Sequence, residues 1–440
     1  KAKIKKSKGV ELTNEQAIAL FRIINFLREK NTSSFLLQGY AGTGKTFLTQ
    51  QILDYCGKHS LKVILAAPTN KAAKVLSQLS NEEAITIARL LGIRPKINKD
   101  TGKEVYVPDP EAKTLNLENY DLVILDEASM IGEELFKLLA KEINLFGLKF
   151  LFLGDSAQLP PVGEIESPVF TQIEAQVKLT KVVRYRGAIL NYATALRTQN
   201  AIAPVKEFVD HQTLKTLNDH QFSETLLSTF QSKSFENNSD YCRVLAWTNQ
   251  RVVQWNQRIR TAIYGNKVPR FVPGERLIAT GACTCRSEEK KSANGNRPQE
   301  IVILPASGEV SVLKAYQKKG FIEYGPMRGD LFQYWEIHAI DEEQNQKTFQ
   351  VLAKSEEQRY QAMLKDFAQR RNWECYWGLK RAFHPLQYAY ALTVHRSQGS
   401  TFEKVFLDLR NLLANYKSQE RKQLLYTAAT RASDQLVVLG

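Results

Sequence analysis

The chain has 440 residues, about three times the ~150 typical of one domain, which excludes a single small binding module. Hydrophobic residues make up 43% and charged residues 24%, values that exclude a disordered or low-complexity chain, and no run approaches the ~20 apolar residues of a membrane span. Lysine and arginine number 60 against 46 acidic residues, and the formal charge of +14 favours a polyanionic partner such as nucleic acid.

Five lysines (Lys1, Lys3, Lys5, Lys6, Lys8) make residues 1–8 a basic, solvated tail. No apolar signal core opens the chain, and the expectation is a cytoplasmic, nucleoid-associated protein. The five cysteines lack paired CxxC spacing, so neither a disulfide framework nor a zinc site is indicated. Cys283 and Cys285 would share one face of a strand, as half-buried packing or as a redox pair.

Behind a Thr13 or Asn14 cap, Leu20, Phe21, Ile24 and Leu27 recur at helical spacing up to about Arg28. Short apolar strands at 35–38, 63–66, 122–125 and 150–153 then alternate with helical stretches, the pattern of a parallel sheet covered on both faces. This first α/β unit is assigned residues 9–185. It is interrupted at 86–119, where residues 96–107 read as a hairpin around Asp100-Thr101-Gly102. A second α/β unit, 186–272 and 384–440, carries strands at 244–247, near 386–393, at 405–409 and at 436–439. Between its halves, 273–383 reads as an inserted small β-domain followed by a helical arm. In that arm Arg359, Lys365, Arg370, Arg371, Lys380 and Arg381 interleave with Tyr360, Phe367, Trp373, Tyr376, Trp377 and Phe383, either to stack on single-stranded nucleic acid or to pack inward.

Gly39-Tyr-Ala-Gly42-Thr43-Gly44-Lys45-Thr46 lies between a predicted strand and helix, the context of a phosphate-binding loop. Its glycines let backbone N–H groups wrap phosphates, Lys45 is expected to reach the β- and γ-phosphates, and Thr46 to hold magnesium. The strand 122–125 ends in Asp126, expected to engage magnesium, and Glu127, placed to take a proton from an attacking water. Gln158, in GDSAQLPPV (154–162), can position water or report the γ-phosphate without carrying charge.

These segments, in order with Gln16, APTNKAAK (67–74), DEAS (126–129), LTKVVRYRG (179–187), AWTN (246–249), TVHRSQGSTFE (393–403) and YTAATRA (426–432), resemble superfamily 1 DNA helicases, most closely the RecD and Dda-like group with Pif-type relatives. The resemblance implies an α/β fold of two RecA-like P-loop NTPase domains, with a β-hairpin insertion in the first and a small SH3-like β-barrel plus helical insertion in the second. It implies a DNA helicase that hydrolyses Mg2+-ATP and moves 5′ to 3′ on single-stranded DNA. Gln16 then resembles the adenine-reading glutamine, Arg184 a γ-phosphate contact, with Arg186 as its alternative, and Arg431 an arginine finger. Gly399 suits a close backbone approach near the nucleotide. Thr69, Asn70, Trp247, Thr248, His395, Ser397, Gln398 and Ser400 match strand-facing positions, with Trp247 either stacking on a base or filling the second core. The hairpin takes the place of the strand-separating pin; its tip lacks an aromatic, which leaves Val105, Tyr106 or Val107 as the wedge. Implied partners are single-stranded DNA, single/double-strand junctions, a single-strand-binding protein or repair-complex subunits, with the chain itself a monomer. An ATP-switched nucleic-acid-binding protein and a motor subunit of a larger recombination or repair complex are the alternatives.

Overall fold

The computed structural model describes residues 12–97, 104–108, 115–183, 187–286, 300–325 and 328–440. The basic tail, the hairpin tip Asp100-Thr101-Gly102, and Arg184 with Arg186 lie outside the described residues.

Helix α1 (Asn14–Arg28) starts at a capping box: the Thr13 hydroxyl accepts the Gln16 N–H, and Gln16 Oε1 accepts the Thr13 N–H at 3.0 Å. There follow β1 (Ser34–Gly39), α2 (Lys45–Lys58), β2 (Val63–Ala67), α3 (Asn70–Ser80), β3 (Ala84–Thr86) and α4 (Ile87–Leu90). An antiparallel pair, β4 (Ile93–Ile97) and β5 (Glu104–Pro108), is the expected hairpin. The first unit closes with β6 (Leu122–Leu125), α5 (Glu133–Phe146), β7 (Lys149–Gly154), α6 (Val169–Gln172) and β8 (Gln176–Leu179). Its parallel sheet runs β3-β2-β6-β7-β1-β8. The unbroken apolar runs follow from two buried faces. Leu36, Val123, Leu125, Phe150 and Phe152 enter one core, while Leu37, Leu122, Ile124, Leu151 and Leu153 enter the other.

The second unit begins with α7 (Ala188–Thr198), β9 (Leu214–Leu217), α8 (Asp219–Phe230), α9 (Lys233–Asn237), β10 (Cys242–Ala246) and α10 (Asn249–Tyr264). The insertion comprises β11 (Arg276–Ala279), β12 (Cys283–Arg286), β13 (Glu300–Leu304), β14 (Glu309–Gly325), β15 (Arg328–Asp341), β16 (Gln346–Leu352), α11 (Glu357–Gln369), α12 (Trp373–Ala382) and β17 (Leu386–Tyr388). The chain ends with β18 (Ala391–Thr393), β19 (Phe402–Leu407), α13 (Leu409–Leu413), α14 (Ser418–Ala429) and β20 (Ala432–Leu439). The second parallel sheet runs β18-β10-β19-β20-β9, so the protein carries two α/β cores. The strand region near 386–393 divides between sheets: β17 pairs with β11 in the insertion, past residue 383, and β18 pairs with β10.

The insertion's sheet is antiparallel, β16-β15-β14-β11-β17. Its edge strands meet at His384, whose N–H donates to the Gln350 carbonyl at 2.7 Å and whose Nδ1 accepts the Gln350 N–H at 2.8 Å. A bulge between Cys283 and Thr284 breaks the face the two cysteines were expected to share, leaving Cys283 buried and Cys285 exposed. The β14–β15 hairpin extends well past the sheet, and α11 and α12 pack on it. Phe367, Trp377 and Phe383 are buried there, and Tyr360 and Tyr376 pack against them. Of the six aromatics in this arm, Trp373 alone is exposed. Arg359 pairs with Asp330 at 2.9 Å and Arg370 with Asp366 at 2.8 Å. Of the two readings of residues 354–383, inward packing holds for five of the six rings, which fix the arm to the hairpin, while Trp373 stays exposed. Among the described residues no helix is long and apolar enough to cross a membrane.

Candidate active site

The phosphate-loop residues 39–46 carry the chain from β1 into α2, at the carboxyl end of the first sheet where open α/β folds bind ligands. Gly44 caps α2 at φ 87°, a left-handed conformation that favours glycine, and Val183 donates its N–H to the Gly42 carbonyl at 2.8 Å. The residue before Arg184 is thus tied to the loop. Glu15 secures the same segment by accepting the N–H groups of Thr180 and Lys181 at 2.8 and 2.9 Å. Hydrogen bonds from the Thr180 side chain and from these amides hold its pKa below the ordinary value.

Gln16 is placed at the phosphate loop. Its Nε2 donates to the Thr43 carbonyl at 3.0 Å while its Oε1 accepts the Thr13 N–H. It is buried and pins the loop to α1, and its amide keeps a second N–H and a second lone pair for an adenine edge.

Lys45 Nζ lies 2.5 Å from the Gly39 carbonyl and 3.3 Å from that of Tyr40, and Thr46 stands in the first turn of α2. Two strands away, β6 ends in Asp126 and Glu127, both half-buried. Glu127 has φ 53°, rare for a residue with a side chain, and Asp126 Oδ1 accepts its N–H at 2.8 Å. Burial, and then the Asp126 charge, raise the Glu127 pKa above the usual carboxylate value, while Arg431 and Lys45 pull it down. Gln158 is buried, and its Oε1 has no hydrogen-bond partner among the described residues. Arg431, just past α14, is 5% exposed and donates to the carbonyls of Thr427 and Ser400 at 3.2 and 3.1 Å. Lys45 and Arg431 therefore act on one carboxylate from the two different cores.

The loop after β7 crosses between those cores. Leu159 is buried in the second core, its N–H donating to Thr427 Oγ1 at 3.1 Å and its carbonyl accepting Gln398 Nε2–H at 3.0 Å. Ser397 and Ser400 are fully buried, and the Ser397 hydroxyl donates to the Val394 carbonyl at 2.8 Å. The expectation that Ser397, Gln398 and Ser400 face a strand is corrected: the tight turn after β18 folds them into the seam. Gly399, at φ 72°, permits a close approach, but to α3: a Cβ there would meet the Ala72 Cβ at 2.9 Å. Asp155 and Tyr426, for which sequence reasoning found no role, meet across the same seam.

Two threonines cap helices at the carboxyl ends of equivalent strands. Thr69 after β2 accepts the Ala72 N–H, beside exposed Asn70. Thr248 after β10 accepts from Arg251 N–H and Asn411 Nδ2–H. Each hydroxyl keeps its own hydrogen for another acceptor. Trp247 packs against the second core, and burial lowers the pKa of half-buried His395, leaving a neutral imidazole at pH 7. On β5, Tyr106 packs against the first core, so Val107 faces the opposite side; the Val105 side chain lies outside the described residues.

Residues 11–219 match the family model described as an AAA domain, and residues 388–439 one described as a UvrD-like helicase C-terminal domain. The chain is 27% identical to the ATP-dependent DNA helicase dda of Enterobacteria phage T4, over 96% of this chain and 97% of that protein. It is 22% identical to the ATP-dependent DNA helicase Pif1 of Campylobacter jejuni, over 90% and 86%. Its fold is similar to that of a Pif1 helicase solved in work on unwinding at forked duplexes, with TM-score 0.53 and 16% identity over 98% of this chain and 92% of that one. That likeness agrees with two RecA-like cores, each a parallel sheet covered by helices. The chain belongs to the superfamily 1 helicases of the Pif, RecD and Dda-like group.

Proposed function

We propose that the protein is an ATP-dependent DNA helicase that moves 5′ to 3′ along single-stranded DNA and unwinds duplex ahead of it. The observation that carries this reading is that Lys45 and Asp126 from one core and Arg431 from the other all act electrostatically on the Glu127 carboxylate. One chain supplies both halves of that site, which supports action as a monomer.

In the proposed cycle the loop amides and Lys45 bind the triphosphate, whose oxygens are stronger acceptors for the ammonium than the Gly39 and Tyr40 carbonyls. Magnesium fits the donor set. The Thr46 hydroxyl and Asp126 carboxylate are hard oxygen ligands, and a cation that keeps waters and substrate phosphates needs no third protein ligand. When bound it neutralises charge on the phosphates. Glu127 takes the proton of the attacking water, its raised pKa making it a better base than an ordinary glutamate. Gln158, with its Oε1 unpartnered, positions that water or the γ-phosphate. Arg431 and Arg184 stabilise the charge that develops on the transferring phosphoryl group.

Thr69 with Asn70 on the first core, and Thr248 with Trp247 and His395 on the second, form two grips on the strand. Each grip presents a helix N-terminus to phosphates, so contact is largely independent of base sequence. Hydrolysis moves the strand if the two grips change affinity differently between nucleotide states. Val107 and Val105 are the wedge candidates at a single/double-strand junction. Steady-state hydrolysis with and without single-stranded DNA tests the reading: strand stimulation is expected, and its absence refutes it.

A further inference from the structure

Tyr40 and Ala41 form the arm by which the phosphate loop leaves β1, and the second core holds that arm at two points. The Arg197 guanidinium, at the end of α7, lies 3.6 Å from the centroid of the Tyr40 ring. One residue on, the Ala41 N–H is shared between Asp155 Oδ2 at 2.7 Å and Tyr426 Oη at 3.1 Å. Tyr426 in turn donates its hydroxyl to Asp155 Oδ2 at 2.7 Å, while Asp155 Oδ1 accepts the Ala157 N–H at 3.0 Å. Asp155 and Tyr426 are 2% and 3% exposed, so these are dry, charge-assisted bonds. Burial, and then the Asp155 charge, push the Tyr426 phenol well above its ordinary pKa, which keeps it a donor at every working pH.

Tyr426 stands in the last turn of α14, and Arg431 follows five residues later, held by the carbonyl of Thr427. A shift of the loop arm is therefore passed to the helix that carries Arg431. A cavity of about 230 Å³ beside the seam, lined by Tyr40, Ser156, Arg197, Gln419, Lys422 and Tyr426, gives Arg197 and Tyr40 room to part without repacking a core.

We propose that Tyr426 and Arg197 are positioning residues through which the second core reads the conformation of the phosphate-loop arm, so that Arg431 is presented to the γ-phosphate only when the arm is seated. This contact is separate from Arg431 and Gln158, and it rests on the helicase reading.

Tyr426→Phe tests it, since the ring remains and Asp155 keeps two amide donors. The expected result is a KM for ATP within about twofold of wild type and a strand-stimulated kcat lower by about tenfold, the size of one lost hydrogen bond to a charged group. The ratio of single-strand affinities with a non-hydrolysable ATP analogue and with ADP should fall toward one. Arg197→Met, at a half-buried position, should lower the same ratio without removing a buried group, and the two changes together should be less than additive. Hydrogen exchange at the Ala41 amide reads the contact with no strand present and should quicken in Tyr426→Phe. An unchanged affinity ratio in both variants, or unchanged exchange at Ala41, overturns the proposal. A wild-type chain whose hydrolysis ignores single strands would instead refute the helicase reading.

Discussion

Replacing Glu309 with glutamine removes the carboxylate on which Lys71, Arg243 and Arg276 converge, at 3.0, 3.4 and 2.8 Å. The three cations come from α3 of the first core, β10 of the second and β11 of the insertion, so this carboxylate joins all three bodies. Glu309 is 2% exposed. Burial alone would raise its pKa, but Lys71, Arg243 and Arg276 more than reverse this and hold it near about 2, against 4.5 for a free glutamate. Because the folded value is depressed, the stability it contributes is complete above pH 4.5 and is lost as pH falls toward 2. The gap corresponds to about 3 kcal/mol, in keeping with the cost of breaking a buried ion pair from one side. Thermal unfolding of Glu309→Gln at pH 7 should occur about 3 °C below wild type for a chain of this length that unfolds as one unit. The difference between wild type and variant should shrink as pH is lowered from 4.5. A variant as stable as wild type at pH 7, or a difference that does not change with pH, would refute the reasoning.

Glu127→Gln should bind ATP normally while kcat falls by about 10²–10⁴, measured by nucleotide titration beside steady-state hydrolysis; hydrolysis near the wild-type rate would favour the ATP-switch alternative. Arg431→Ala should lower kcat by about 10³–10⁵, and a change confined to KM would remove the finger role. Glu127 must be deprotonated to act, and its pKa is raised, so kcat should rise with pH through a limb lying above the ordinary glutamate range. In Arg431→Ala that limb should move higher still, because a cation that lowers the Glu127 pKa is gone; a profile flat down to pH 4.5 would contradict this. Thr69→Val and Thr248→Val should each weaken single-strand binding similarly across sequences while leaving the salt slope unchanged, because a neutral hydroxyl releases no counterion, read from binding isotherms at several salt concentrations.

The phosphate loop, the paired acids and both parallel sheets were legible in the sequence because each depends on neighbours only a few residues away. Glycines that wrap phosphates, a hydroxyl and a lysine at a helix start, and apolar strands buried on two faces leave local signatures. What the sequence hid depends on contacts between distant segments. That the Gln16 amide also reaches the Thr43 carbonyl, 27 residues away, is marked by no neighbour in sequence. Ser397, Gln398 and Ser400 are as polar as strand-facing residues, yet the turn after β18 buries them, with Gln398 on the Leu159 carbonyl of the loop after β7. Asp155 and Tyr426 are 271 residues apart, and no periodicity announces a buried bond at that separation. The basic aromatic arm at 354–383 was composed like a stacking platform. Its rings pack inward because the long β14–β15 hairpin, whose length followed from no local signal, offers them an apolar face.

The central claim is that ATP hydrolysis in the cleft between the two cores drives directional movement on DNA. Unwinding of duplexes bearing either a 5′ or a 3′ single-stranded tail, with ATP and magnesium present or withheld, tests it most directly. ATP-dependent separation of the 5′-tailed substrate, with the 3′-tailed one left intact, is the predicted result. Separation of neither substrate despite strand-stimulated hydrolysis, or of the 3′-tailed substrate alone, would contradict it.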